Sequence, residues 1–150
     1  MQVFIVGTPF DTAIDLDNRR LNKQIQEIKV ILDALNGAKA WSNHPCVLQY
    51  RGHQEWLMSY KECLVACRNG KSYESPDGGF YDMRDASRFC EAVRPPFHTQ
   101  EYFDQMKRRL YTKDKNHYKQ WAYLGESDVN WYWSHEKQEF IKYRNGKRIE

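Results

Sequence analysis

The sequence predicts a mainly α-helical fold: a single compact helical domain over residues 1–150, with a short C-terminal hairpin or irregular aromatic tail. Apolar residues recur at helical spacing in two long runs, one between Asp15 and Gly37 and the other after Pro45. The chain has 150 residues, 41% of them hydrophobic, which is enough for one core. Near the end, Asn145-Gly146 is the dipeptide that two-residue hairpin turns favour.

The first long helix is predicted from Asp15 to Gly37. A short buried or extended segment, Met1–Gly7, and a turn at residues 8–10 precede it. Five apolar residues share one face of this helix at intervals of three and four, and we expect that face to pack into the core. They are Leu21, Ile25, Ile28, Leu32 and Leu35.

A polar stripe made of Arg20, Lys23, Gln24 and Glu27 lies on the flank of the same helix. The outer face, which includes Arg19, is explained by solvation alone. The stripe has two readings. Lys23 and Glu27 form an exposed ion pair worth about 0.3–0.5 kcal/mol, or a neighbouring element partly buries the stripe and gives it a chemical role.

A second helical region is predicted to begin at His44-Pro45, where capping residues precede a proline. Gly52 is a candidate interruption, and Asn69-Gly70 is the expected end. We expect a loop over Ser72–Gly79 and a short helix over Met83–Val93.

The last third of the chain predicts a helix capped by Thr99 and a further short helix over Asn116–Leu124. Six basic residues against two acidic ones give residues 104–119 a local charge of +4, which suits phosphate contact as well as a solvated helix. The basic residues are Lys107, Arg108, Arg109, Lys113, Lys115 and Lys119.

The C-terminal tail is both aromatic and basic. We expect it to face DNA, by base stacking and phosphate neutralisation, or to pack its tryptophans in the core. The residues concerned are Trp131, Trp133, Lys142, Tyr143 and Lys147.

Composition argues against several classes of protein. The longest apolar runs are too short to cross a bilayer and no signal-peptide pattern is present, so we expect a cytoplasmic protein that does not bind membranes. The four cysteines contain no CxxC pair, which favours buried reduced thiols. His44, His53 and His98 match no common zinc-ligand spacing, so we expect no metal and no cofactor.

Two motifs stand out in the first third of the chain. They are Leu16-Asp17-x-x-Arg20-Leu21-x-Lys23-Gln24-x-x-Glu27 and Trp41-x-Asn43-His44-Pro45-x-Val47. Together they resemble the pyrimidine-dimer DNA glycosylase family related to phage endonuclease V, and its bacterial branch above all. Lys113-Asp114-x-x-His117-Tyr118 and the aromatic, basic tail add to the likeness. The resemblance implies a helical, monomeric enzyme that binds damaged or modified duplex DNA, exposes a nucleotide and cuts its N-glycosidic bond.

The resemblance also implies roles for single residues. In the phage enzyme the nucleophile is the N-terminal amine freed by removal of the initiator methionine, but Gln2 is too large to favour that removal. The nucleophile here is therefore the amine of a retained Met1, the amine of Lys23, or an activated water in a glycosylase without lyase activity.

A second departure concerns the carboxylate. Placing this helix on the phage enzyme's active helix puts Gln24 where the catalytic glutamate lies, and glutamine cannot transfer a proton. Glu27, one turn later, is the available carboxylate for acid/base work or oxocarbenium stabilisation. Arg20, Gln24, Asn43 and His44 are then expected to bind the substrate.

Three functions remain open at this point. The first is a DNA glycosylase, with or without abasic-site lyase activity. The second is a nucleic-acid-binding module without catalysis, and the third is an N-glycosidase for free nucleosides or nucleotides.

Overall fold

The computed structural model describes residues 1–72 and 92–149. The described part is mainly helical, as predicted. The helices are α1 (Pro9–Asp15), α2 (Asn18–Leu35), α3 (Pro45–Gln49), α4 (Gln54–Ser72) and α5 (Gln100–Lys113), followed by a 3₁₀ helix (Lys119–Leu124). The strands are β1 (Asn130–Ser134), β2 (Glu139–Arg144) and β3 (Lys147–Ile149).

The first long helix, α2, begins at Asn18 and not at the predicted Asp15, and a separate short helix, α1, precedes it and ends at Asp15. Leu16 has extended dihedrals and is buried, with 1% exposed, so the chain turns there to place this side chain in the core. Asp17 then caps α2, since its carboxylate accepts from the backbone N–H of Arg20. The turn predicted at residues 8–10 is also wrong, because Thr8 and Pro9 begin α1.

The second helical region begins at Pro45 as predicted and is interrupted by Gly52, whose φ is +86°. Its predicted end at Asn69-Gly70 is wrong, because α4 continues to Ser72. Asn69 and Gly70 have low intrinsic helix propensity, but propensity is a weak determinant that tertiary context often overrides. The predicted loop after Ser72 and the predicted helix Met83–Val93 lie outside the described residues, apart from non-helical Ala92 and Val93.

The C-terminal tail forms a three-stranded antiparallel sheet in the order β1-β2-β3. Asn145 and Gly146 have φ values of +51° and +76°, as the predicted hairpin turn between β2 and β3 requires. The prediction missed β1, which pairs with residues 139–143 of β2, the first strand of the hairpin. The short helix predicted from Asn116 is a 3₁₀ helix that begins at Lys119.

The N-terminal segment, residues 2–6, runs through the core without regular secondary structure. Val3 and Ile5 are fully buried. Buried backbone groups need hydrogen-bond partners, and here side chains supply them. Phe4 donates its N–H to Gln24 Oε1 at 2.6 Å and accepts at its carbonyl from the Tyr60 hydroxyl at 2.5 Å.

Further side chains bind the same segment from other elements. Val6 N–H donates to Thr12 Oγ1 of α1 at 3.0 Å, and the Tyr132 hydroxyl of β1 donates to the Met1 carbonyl at 2.7 Å. Gln24 Nε2 donates to the Gln2 carbonyl at 3.2 Å. Gln24 therefore bonds two backbone groups at once, in the manner of a strand partner.

Replacing Gln24 with leucine tests this role. Gln24→Leu leaves the Phe4 N–H and the Gln2 carbonyl buried without partners, and each such group costs about 1–3 kcal/mol. We expect the free energy of unfolding to fall by about 2–4 kcal/mol in urea denaturation. The control is Gln26→Leu on the exposed side of α2, and equal losses in the two variants would contradict the assignment.

Candidate active site

A pocket of about 230 Å³ opens where the polar stripe of α2 meets the N-terminal segment, α5 and the start of β1. All four stripe residues line it. The lining residues are Met1, Gln2, Phe4, Arg19, Arg20, Lys23, Gln24, Glu27, Arg109, Lys113 and Asn130. The structure thus brings Met1, Lys23 and Glu27, the three predicted catalytic residues, to one pocket.

Glu27 faces the beginning of the chain. Its Oε2 atom accepts from the backbone N–H of Gln2 at 3.4 Å, and its side chain is half-buried. The Met1 carbonyl is bonded by Tyr132. Because the α-amine of Met1 is one residue away from the Gln2 nitrogen, a primary amine and a carboxylate share the pocket.

Gln24 lines the same pocket but is 1% exposed, and both ends of its amide are bonded to the N-terminal segment. Its carbonyl oxygen accepts from Phe4 and its NH₂ group donates to Gln2. Gln24 therefore fixes the wall of the pocket and the path of the chain toward Met1.

A basic cluster surrounds the pocket, formed by Arg19, Arg20, Lys23, Arg109 and Lys113. Partial burial, followed by the charges of Arg109, Lys23 and Arg20, lowers the pKa of Lys113, while Glu27 acts in the opposite direction. Burial also lowers the pKa of Arg109. Several cations so close together create a positive potential that favours an anionic ligand such as phosphate.

Arg20 is held in place within this cluster. Its Nη1 lies 3.3 Å from Asp17 Oδ2, and its Nη2 donates to the Lys113 carbonyl at 3.5 Å. The Tyr118 hydroxyl donates to the same carboxylate from the other side. Burial raises the pKa of Asp17, but the hydrogen bonds from Tyr118 and Arg20 outweigh it and leave the pKa lowered.

His44 is the N-cap of α3. Its Nδ1 accepts from the backbone N–H of Cys46 at 3.1 Å. Burial and the charge of the N-terminal ammonium lower its pKa, so the imidazole is neutral near pH 7 and carries its proton on Nε2. Asn43 is exposed in the preceding turn and is not one of the residues that line the pocket.

The basic segment of α5 divides into two groups. Arg109 and Lys113 line the pocket, whereas Arg108 donates to the Leu124 carbonyl at 3.0 Å. Lys107 lies over the Trp121 ring, 5.9 Å from its centroid, and Lys115 pairs with Glu126. Three of the six basic residues in this segment therefore contact the 3₁₀ helix or the loop that follows it.

The predicted DNA-facing tail packs mainly inward. Trp131 is 9% exposed, with Lys142 Nζ 4.7 Å from its ring centroid. Trp133 packs edge-on against Phe140 at 5.1 Å between ring centroids. Lys147 is exposed on β3. The positions of the two tryptophans agree with core packing, the second of the two expectations for this tail.

The sequence did not point to Arg19, Asn130 or Tyr132, which form or support the site. Arg19 was assigned to the solvated face of α2, yet it reaches the pocket. Asn130 lines the pocket and accepts from Arg109 Nε at 3.0 Å. Tyr132 holds the Met1 carbonyl, and the aromatic run Trp131-Tyr132-Trp133 to which it belongs is a composition typical of strands.

Within residues 1–72 and 92–149, no three His, Cys, Asp or Glu side chains lie close enough together to hold a metal ion. In the same residues, none of the helices has the length and apolar character that crossing a membrane requires. Cys46, Cys63 and Cys67 are buried, and Cys90 lies outside the described residues.

Comparison with known protein families gives one match. Residues 1–69 match the family model described as pyrimidine dimer DNA glycosylase. Neither the curated proteins nor the solved structures contain a match to this chain. The matched residues include the N-terminal segment, the polar stripe and the turn before α3, whereas α5 and the sheet lie beyond them. The resemblance seen in the sequence is therefore supported over residues 1–69, where the chain is similar to the pyrimidine dimer DNA glycosylase family.

Proposed function

We propose that this protein is a DNA glycosylase of the pyrimidine-dimer type, which excises a damaged or modified base and then cleaves the strand at the abasic site. One observation carries the proposal: the start of the chain and the Glu27 carboxylate meet in one pocket, ringed by the basic cluster. The match of residues 1–69 to the family model described as pyrimidine dimer DNA glycosylase supports the glycosylase class.

The chemistry follows from these two groups. The neutral α-amine of Met1 attacks the sugar C1′ and the N-glycosidic bond breaks. The base leaves with the bonding electrons and takes up, through water, the proton that the attacking amine releases. Glu27, negatively charged, stabilises the oxocarbenium character of C1′ in the transition state. The sugar ring then opens to an imine between C1′ and the amine, and Glu27 accepts the C2′ proton as the 3′ phosphate is eliminated.

Met1 is a better candidate for the nucleophile than Lys23. Its carbonyl is fixed by Tyr132 and the next backbone nitrogen by Glu27, so the amine is held in a narrow range of positions. Lys23 is exposed on a flexible stem, and we assign it to phosphate contact with Arg20.

The remaining predicted residues take supporting roles. Neutral His44 has an Nε2 proton to donate to a sugar or phosphate oxygen. Gln24 acts as a positioning residue through the N-terminal segment, since both ends of its amide are engaged.

Borohydride trapping on an abasic duplex tests the amine. We expect a covalent adduct whose protease digest places the DNA on the peptide that contains Met1. Lys23→Ala and its control on the same helix, Lys29→Ala, should both still trap. An adduct on Lys23 or Lys113 would contradict the assignment to Met1, and excision without any adduct would eliminate the imine mechanism.

Glu27→Gln tests the carboxylate. The substitution keeps the shape and the acceptor for Gln2 but removes the charge, and we expect excision to slow by about 10²–10⁴-fold. The measurement is single-turnover product release from a panel of modified oligonucleotides, read by mass spectrometry. The matched control is Asp33→Asn on the exposed side of α2, and a folded Glu27→Gln protein with the wild-type rate would sink the assignment.

Salt dependence tests the basic cluster. Lys23→Ala should reduce the slope of log K against log salt concentration by about 0.9 for duplex binding, because one phosphate contact is lost. Lys29→Ala, a control outside the cluster, should leave the slope unchanged. A different result would favour an N-glycosidase for free nucleosides. In that case the wild type and both variants would have the same slope, nucleosides would compete with the substrate, and plain duplex DNA would not.

A further inference from the structure

Trp41 differs from the other tryptophans of the chain. It is 56% exposed, whereas Trp56, Trp121 and Trp131 are buried and Trp133 is half-buried. All five tryptophans of the sequence lie in the described residues. A large aromatic ring left in water loses the burial that normally stabilises it, so its position calls for another explanation.

The backbone at Trp41 is also unusual. Its φ is +66°, in the left-handed region that an aromatic L residue rarely adopts. The turn is held by the backbone bond from His44 N–H to the Trp41 carbonyl at 2.9 Å and by two bonds from Ser42 to the Lys39 carbonyl. Strained residues of this kind concentrate at functional sites.

A chain of contacts connects Trp41 to Met1, one of the residues that line the pocket. Its ring meets the His44 ring edge-on at 5.7 Å between centroids, and His44 meets Tyr132 in the same way at 5.7 Å. Tyr132 in turn holds the Met1 carbonyl. The exposed indole is thus two ring contacts away from the residue that holds the proposed nucleophile.

We propose that Trp41 stacks on a base of the bound DNA, next to the nucleotide that enters the pocket. This inference rests on the proposed function. Aromatic side chains stack on any base, and moving a nucleotide out of the helix leaves its neighbours without a stacking partner. A rigid indole at the side of the pocket replaces that partner, and the basic cluster holds the phosphates.

The turn around Trp41 favours DNA over an apolar partner. Ala38, Lys39, Ala40 and Asn43 beside it are exposed, so the ring does not belong to a wider apolar face formed by large side chains. A lone indole near cationic and neutral polar groups suits a ligand that combines flat bases with phosphates.

The test uses a duplex with an abasic site and 2-aminopurine as the neighbouring base. Trp41→Ala should bind it at least about fivefold more weakly than wild type, the lower end of the loss seen when stacking aromatics are removed. The slope of log K against log salt concentration should not change, because no phosphate contact is lost. Trp41→Phe should retain most of the affinity, and Tyr123→Ala, which removes an aromatic that is 76% exposed on the 3₁₀ helix, should bind as wild type.

A spectroscopic readout separates stacking from a structural effect. Binding should change the 2-aminopurine fluorescence and quench tryptophan emission in the wild type, and the tryptophan quenching should be lost in Trp41→Phe. The proposal would be overturned if Trp41→Ala bound the duplex with wild-type affinity and caused the same change in 2-aminopurine fluorescence as the wild type.

Failure of the two proposals gives different results. Binding with Trp41-dependent stacking but no excision supports the role of Trp41 and overturns the glycosylase. Excision that is indifferent to Trp41 overturns only the stacking role, and a wild-type protein that does not bind this duplex overturns both.

Discussion

The structure depends on one requirement: an irregular segment, residues 2–6, crosses the core, and every buried backbone group on it has to find a partner outside a β-sheet. Side chains from α1, α2, α4 and β1 supply these partners through Thr12, Gln24, Tyr60 and Tyr132. Because each bond comes from a different element, the segment fixes how these elements lie relative to one another. An unmade bond here would cost more than a typical surface interaction contributes.

The same requirement determines where the pocket lies. Gln24 and Glu27 are three residues apart on α2, so they share a face of the helix and meet successive parts of the N-terminal segment. Gln24 bonds Phe4 and the carbonyl of Gln2, and Glu27 bonds the nitrogen of Gln2. Packing that buries Val3 and Ile5 therefore also delivers Met1 to the Glu27 carboxylate.

The features that could be predicted from the sequence are those that depend on residues close together in the chain. The Thr99 cap, the helix start at Pro45 and the Asn145-Gly146 turn each depend on neighbours a few residues away, and each is present. The break at Leu16, the path of Arg19 into the pocket and the inward tryptophans of β1 depend on elements distant in the chain. The polar stripe was recognisable as unusual, but periodicity alone could not show which of its members faces the backbone and which faces the pocket.

The amide at Gln24 follows from its surroundings. One end must donate to the Gln2 carbonyl while the other accepts from the Phe4 N–H, and only an amide does both without a change of protonation. An ionised carboxylate at this position would place a hydrogen-bond acceptor next to the Gln2 carbonyl, which is also an acceptor. To donate to that carbonyl, the carboxyl group would have to be protonated at neutral pH. The glutamine that departs from the expected catalytic glutamate is thus accounted for by the fold, and it leaves Glu27, half-buried and facing the start of the chain, as the carboxylate to which the proposed chemistry is assigned.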